Sequence, residues 1–415
     1  MIKQKYITVH SYETPQSDFD EDLNGNGLAI LIPTVCKITE ELNGTYELYI
    51  EHPIDEEGRW KFIEIDNIIK ADGQLFRIKS RKTRMMSNGE KVRTATCMHI
   101  WYDLAGKTIH EYTADNYAAY WFIKNLFTAI NAYHIDDQYM WFENNLYDFE
   151  SGFTTDCGWS ASDVLAYAHF TPVNMVSAVI GTESSFVSVY SKEDENGEII
   201  NPELHRDNFK WSLRWRKENS VDNAFSITHT VDMIDVEEIY DTSNYYTHVH
   251  VRDNLGHVRT GGVNVNEAHA RGEHVPRQPR VKQLKLQYNA SENNDCINQR
   301  FYQDADRYIR SVIHPQLTLK CNYAELSNTD LYKDYIAAKH CNVGDTGLVY
   351  CPDLGINQTM KIIKKTYSLI DENQVEITFG TKRASITENS YMSQTINDSK
   401  FENLGFFTSA NTSSD

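Results

Sequence analysis

Between Gly44 and Gly106 polar and apolar residues exchange with the two-residue period of half-buried strands. Tyr46, Leu48 and Ile50 alternate with Glu47, Tyr49 and Glu51. His52-Pro53 ends the run, because proline has no N–H to give a ladder and restricts the residue before it. Asp72-Gly73, set between Ile69 and Leu75, predicts a tight hairpin turn, since glycine accepts the positive φ such turns need. Ser87-Asn88-Gly89 predicts a second hairpin, joining Phe76–Lys82 to Lys91–Cys97. Upstream, Tyr6–His10 reads as a short strand, Asp18–Gly27 as an acidic loop, and Leu28–Thr39 as a strand broken at Pro33. Residues 1–100 thus read as a small antiparallel barrel or sandwich.

After residue 100 the period changes. Thr113 or Asp115 can cap a helix over Asn116–Tyr133, with Tyr120, Ile123, Leu126, Phe127 and Ile130 on one face. Ser160 to Asp163 is a variant capping box ahead of Val164, Leu165 and Ala168. Two strand-like runs follow, separated by an acidic insertion at Lys192–Asp207 in which Glu195-Asn196-Gly197 suits a hairpin turn. Residues 101–225 therefore read as a mixed α/β insertion. Residues 256–280, rich in Gly, Pro, Arg and His, read as a long loop. A helix is expected over Asn293–Ile313, its stripe formed by Ile297, Phe301, Ala305, Tyr308, Ile309 and Val312, and His314-Pro315 ends it. Strands resume with Leu317–Leu326 and close with Val375, Ile377 and Phe379 in clean alternation. Residues 386–415 are Ser/Thr/Asn-rich and read as a flexible or partner-dependent tail.

The 415 residues suffice for two to four domains, and the formal charge of −19 makes the chain a poor candidate for gripping nucleic acid, which needs clustered Lys and Arg. Its 25 tyrosines suit either interfaces or Tyr-rich cores. The seven cysteines, Cys36, Cys97, Cys157, Cys296, Cys321, Cys341 and Cys351, include no C-x-x-C pair, which removes the zinc-ribbon and thioredoxin-like readings and leaves reduced core residues. The start shows no apolar signal-peptide core, and no run of about 18 apolar residues offers a membrane span.

Histidine is the sharpest candidate chemistry. His248 and His250 form an H-x-H that places both imidazoles on one strand face, and His257, His269 and His274 follow. With Glu267 or Glu273 such a set can ligate zinc, yet no H-E-x-x-H fixes the spacing, so a polar interface loop is the reading adopted and no metal or cofactor is expected. Trp211, Arg214, Trp215, Arg216 and Lys217 suit nucleic-acid stacking or a subunit contact, and the contact is preferred. Gly261-Gly262 is a lone doublet without a phosphate-binding frame, and no G-x-S-x-G or Walker-type loop occurs. No catalytic residue is assigned. Aromatic residues for sugar stacking do not cluster in sequence, so a carbohydrate-binding module is a minor alternative.

Two anchoring stretches carry a family resemblance. LNGTYELYIEHPIDEEGRWKFIEIDNIIKADGQLFRI with HIWYDLAGKTI, and far downstream NVGDTGLVYCPDLGINQTMKIIKKTYSLIDENQVEITFG, resemble the phage minor structural proteins. These are tail-associated proteins that form the hub of the tail tip in long-tailed bacteriophages and prophages. The likeness spans most of residues 30–385. Asp241-Thr242-Ser243 followed by Thr247-His248-Val249 matches a family turn and strand, although the family often carries an Arg or a Tyr-Pro there.

The resemblance implies a mainly β, α+β fold in which two antiparallel tail-tube-like β-barrels flank α/β insertions. They would occupy residues 1–100 and 226–385, with residues 101–225 as the insertion and Asn293–Ile313 packed on the second barrel. It further implies a homotrimeric ring in the virion tail tip, assembled in the host cytoplasm. The ring would contact a distal tail protein or the tube end, the tape measure protein, and fibre or receptor-binding components, with DNA passing unbound. Many relatives carry a cell-wall endopeptidase or lysozyme-like domain after the hub. Here the match ends near residue 385 and about 30 residues remain, too few for such a domain. The expectation is a structural protein, with a wall hydrolase as the rival.

Overall fold

The computed structural model describes residues 6–20, 27–106 apart from 86 and 88, and short strand segments at 143–145, 192–193, 199–200 and 202–215. It further describes 222–286 apart from 271–272, parts of a helix within 298–312, and 313–324 and 341–380 apart from 372–373. The helices expected at Asn116–Tyr133 and after Ser160, the tail 386–415, Ile297, Cys157 and Cys296 lie outside the described residues.

The first region holds β1 (Ile7–His10), β2 (Ala29–Leu31), β3 (Val35–Glu41), β4 (Tyr46–Pro53), β5 (Ile68–Ala71), β6 (Gln74–Met85) and β7 (Lys91–His99). The break at Pro33 separates β2 from β3, and the alternation from Tyr46 buries Leu48 and Ile50 completely. Asp72 and Gly73 have φ of 51° and 78°, so both central residues of the β5–β6 turn take the left-handed conformation that suits the twist of a two-residue hairpin. Lys91 to His99 runs antiparallel to β6, as the Ser87-Asn88-Gly89 turn predicts.

The middle of the chain supplies β8 (Glu143–Asn145), β9 (Lys192–Glu193), β10 (Ile199–Ile200), β11 (Pro202–Asp207) and β12 (Lys210–Trp215). β9 and β10 pair antiparallel on either side of Glu195–Gly197. Then come β13 (Phe225–Thr228), β14 (Met233–Asp241), β15 (His248–Arg252), β16 (Val258–Gly262), β17 (Val281–Lys285), β18 (Gln316–Ala324), β19 (Thr346–Cys351), β20 (Ile356–Ser368) and β21 (Gln374–Gly380).

Among the described strands the two β regions, expected as two barrels, share one sheet. One thirteen-stranded sheet runs β14-β18-β21-β20-β3-β4-β7-β6-β5-β1-β2, with β19 pairing β20 and β13 pairing β19 off that path. The join is antiparallel, Lys364 opposite Glu41 through Ser368 opposite Lys37. β20 makes it possible by its length of 13 residues. Its first half pairs with β19, a register shift falls between Ile362 and Lys364, and its second half lies between β21 and β3. Among the described strands neither region closes on itself, so the fold is mainly β with an open, continuous sheet. The second region has its own apolar core, including Phe225, Ile227, Tyr323, Ile362, Ile377 and Phe379.

Two further expectations change. Residues 256–280 are not one loop, since they contain β16 and a helix at Val265–Ala270. Gly261, a loop signal in sequence, sits in β16 because a Cβ there would lie 2.7 Å from the Ile309 Cγ2 atom. Among the described residues, the helix carrying Phe301, Ala305, Tyr308, Ile309 and Val312 does not pack on the large sheet. It forms a separate core with Val249 and Val251 of the small sheet β16-β15-β17. That sheet alternates apolar and polar residues along β15, so only one of its faces can take the helix stripe.

Candidate interaction surfaces

A densely bonded polar node joins the middle of the chain to the first β region. β11 and β12 form a hairpin whose turn holds Asn208 at φ 54°. At its tip Arg206 is buried and donates to the Gly44 carbonyl (2.7 Å), the Tyr102 hydroxyl (2.6 Å) and the Glu41 carbonyl (3.1 Å). The Tyr102 hydroxyl in turn donates to the Gly44 carbonyl. The guanidinium lies 5.2 Å from the Tyr46 ring centroid and 5.6 Å from that of Tyr102, within cation–π reach. Beside it Phe209 is buried against Phe19, and the Asn208 N–H and the His99 Nε2 both meet the Gln74 Oε1 at 3.0 Å.

His99 is held neutral. Its Nδ1 accepts from the Trp101 N–H (3.2 Å), which leaves Nε2 to donate to Gln74. Burial, and then the nearby Arg206 charge, pull its pKa well below the usual imidazole value. Burial likewise raises the Tyr102 hydroxyl, with Arg206 opposing. Nothing in the sequence singled out Arg206, because its partners are mostly backbone carbonyls, which leave no trace in residue type. Trp211, Arg214 and Trp215 take alternating positions along β12, while Arg216 and Lys217 fall outside the described residues.

The histidines disperse. His248 and His250 share the exposed face of β15, opposite the helix-packed Val249 and Val251. His257 is on the other side, its Nδ1 2.6 Å from the Asp253 carboxylate and its ring 5.5 Å from that of Phe301. Glu273 faces His314 at 3.3 Å, Glu267 accepts from the Asn264 side chain (2.7 Å), and the backbone N–H of His274 donates to the Tyr240 hydroxyl. His269 is exposed on the helix Val265–Ala270. Among the described residues no three His, Cys, Asp or Glu side chains come together as a metal set. Cys36, Cys97, Cys321, Cys341 and Cys351 are buried free thiols, and burial pushes Cys36 and Cys321 up to about 12. Among the described residues no helix is long and apolar enough to cross a membrane.

Among the open margins of the described strands, two are strongly charged. β14 pairs only with β18 among the described strands and exposes Asp235, Glu237, Glu238 and Asp241. Beyond Ile78, β6 pairs only with β7 and exposes Arg81, Lys82, Arg84 and Met85. Arg81 meets Glu64 and Arg84 meets Glu51 in ion pairs, while the arm as a whole stays basic.

Two family models match the chain, one described as prophage endopeptidase tail over residues 221–390 and one as the prophage endopeptidase tail N-terminal domain over residues 19–99. Three solved structures share the fold. The prophage tail protein gp18 of Listeria monocytogenes has a TM-score of 0.55 at 13% identity, over 95% of this chain and 98% of its own. The 43 kDa tail protein of prophage MuSo2 from Shewanella oneidensis has a TM-score of 0.56 at 9% identity, over 91% and 98%. A tail protein from Neisseria meningitidis has a TM-score of 0.51 at 12% identity, over 92% and 98%. No curated protein matches the chain.

Proposed function

Since the chain belongs to the prophage endopeptidase tail family and is a phage tail-associated protein, we propose that it is a structural hub of the tail tip. Three copies close into a ring that extends the tail channel and lets DNA pass without specific binding. The ring links a distal tail protein or the tube end and the tape measure protein to fibre or receptor-binding components. Residues 1–100 and 226–385 are the ring-forming units, residues 101–225 an insertion, and 386–415 a tail. The protein resides in the virion tail tip after assembly in the host cytoplasm.

The observation that carries this reading is the edge-to-edge join of β20 to β3. One chain already lays its second β region beside its first through a strand ladder. Two of its open margins are of opposite charge, acidic on β14 and basic on the arm of β6. A copy can therefore offer β14 to the β6 arm of the next, a head-to-tail contact that closes when the rotation closes. Opposite charge along the two margins favours that register and disfavours like-with-like pairing.

Reversing Glu237 and Glu238 to Lys should abolish the ring in analytical ultracentrifugation of the assembled complex. Adding Arg81→Glu and Lys82→Glu should restore it. A reconstruction with other than three copies at the tail tip overturns the reading. The family label includes endopeptidase, and a zymogram on host peptidoglycan tests the enzymatic rival directly: lysis by the purified chain, lost with a chelator, would replace the structural role.

A further inference from the structure

The three strands of the small sheet, β15, β16 and β17, carry four Lys and Arg, two His, and no Asp or Glu, in a chain of formal charge −19. One face is covered by the helix of Phe301 and Ile309, and the other is exposed. Register assigns the exposed side chains in rows. His248 stands between Gly262 and Val281, His250 between Thr260 and Gln283, and Arg252 between Val258 and Lys285. The other two cations are engaged elsewhere, Arg259 with Asp306 at 2.6 Å and Lys282 over the Tyr246 ring.

Arg252 and Lys285 are direct cross-strand neighbours of like charge, a pairing that costs a sheet stability. No carboxylate of the three strands offsets them. We propose that this open face, centred on His248, His250, Arg252 and Lys285, is a docking surface for a carboxylate-bearing segment of another protein of the tail. An incoming carboxylate relieves the Arg252–Lys285 repulsion, and the guanidinium can hold it in two-point fashion. Val258 and Val281, 52% and 53% exposed at opposite corners, supply the apolar contact of a protein interface.

A nucleic-acid backbone fits less well. Two permanent cations neutralise few phosphates, and the three strands contain no Phe, Tyr or Trp ring, the larger platforms on which bases stack. A second copy of the chain fits less well too, because the small sheet lies off the thirteen-stranded path whose margins serve the ring contact. The assignment rests on the hub reading for the partner being a tail component other than a second copy; the charge argument stands without it.

Carbodiimide joins a lysine amine to a carboxylate only where the two touch. Applied to the assembled tail, it should link Lys285 to an Asp or Glu of a different polypeptide. A link from Lys285 to a second copy, or none from Lys285 while other lysines react, overturns the proposal. In solution, the purified full chain should bind a glutamate-rich peptide, and Arg252→Glu with Lys285→Glu should weaken that binding by about tenfold or more. The variant should keep its thermal transition, since both positions are exposed and one like-charge pair replaces another. Unchanged peptide binding by the double variant, or tighter binding of a short DNA duplex than of the peptide, overturns it as well. If the chain is absent from tail particles the hub reading fails, and the solution arm still decides the face.

Discussion

Arg206 donates to the carbonyl of Gly44 at 2.7 Å, across 162 positions of the chain. This contact ties the β11–β12 hairpin to the turn between β3 and β4, and it also organises Tyr102, Tyr46 and, at one remove, His99.

Removing that guanidinium takes a charged donor from two backbone carbonyls and a phenol inside a buried node, leaving the Tyr102–Gly44 bond and the Gly44 N–H to the Glu41 carbonyl. Arg206→Met keeps most of the apolar stem and deletes the donors, so the loss should report the hydrogen bonds. About 2–4 kcal/mol of unfolding free energy is expected, the range for a buried charged donor with several acceptors. Urea denaturation followed by tryptophan fluorescence measures it. A loss below about 0.5 kcal/mol, the level of an ordinary surface substitution, would make the node incidental.

Phe301 is fully buried in a core separate from that of the large sheet. Phe301→Ala should cost about 3–5 kcal/mol through lost burial and the cavity left behind, and Phe301→Asp more. Because the small sheet shares no strand with the large one, the damage should be local. Hydrogen exchange should quicken in β15–β17 and stay slow in β18, β20 and β21. Uniform loss of protection would show that the two cores unfold as one.

Much of the strand pattern was legible because alternation reports which face of a strand is buried. Leu48 and Ile50, or Val375 and Ile377, announce themselves that way, and Asp72-Gly73 announces its turn by chemistry. Alternation says nothing about edges. The β20–β3 ladder joins residues more than three hundred positions apart through backbone groups common to every residue, so two β regions read as two barrels. The same blindness hid Arg206 and assigned the helix of Phe301 to the wrong sheet. Gly261-Gly262 was read as loop since a glycine that makes room for Ile309 looks in sequence like one that makes a turn.

His99 should make stability depend on pH. Its folded-state pKa is depressed, first by burial and then by Arg206, so the folded chain resists the proton that the unfolded chain accepts. The contribution is fully present above the unfolded imidazole value of about 6.5 and is lost as pH falls below it. His10 and His52, also lowered chiefly by burial, act in the same direction. The thermal midpoint should fall between pH 7 and pH 5, values that bracket the free imidazole pKa of about 6.5. His99→Gln should flatten that fall while lowering the midpoint at neutral pH. An unchanged slope in the variant would remove His99 from the account.

The last expectation concerns the close approach of β16 to its helix. At Gly261 a Cβ would meet the Ile309 side chain at 2.7 Å and 3.0 Å, closer than van der Waals contact allows, and the neighbour is a packed, buried isoleucine. Gly261→Ala must therefore push the helix away or force Ile309 off its rotamer, at about 1–3 kcal/mol, the range for overpacking a core. Ile309→Ala alone should cost about 2–5 kcal/mol by leaving a cavity. Combined, the added methyl enters the space the isoleucine vacates, so the double variant should be more stable than the sum of the two losses by at least about 1 kcal/mol. That coupling, measured by a double-mutant cycle in urea, is specific to direct contact between the two positions. Simple additivity would mean that Gly261 is there for the backbone and not for Ile309, and the strand–helix packing of the small sheet would need another explanation.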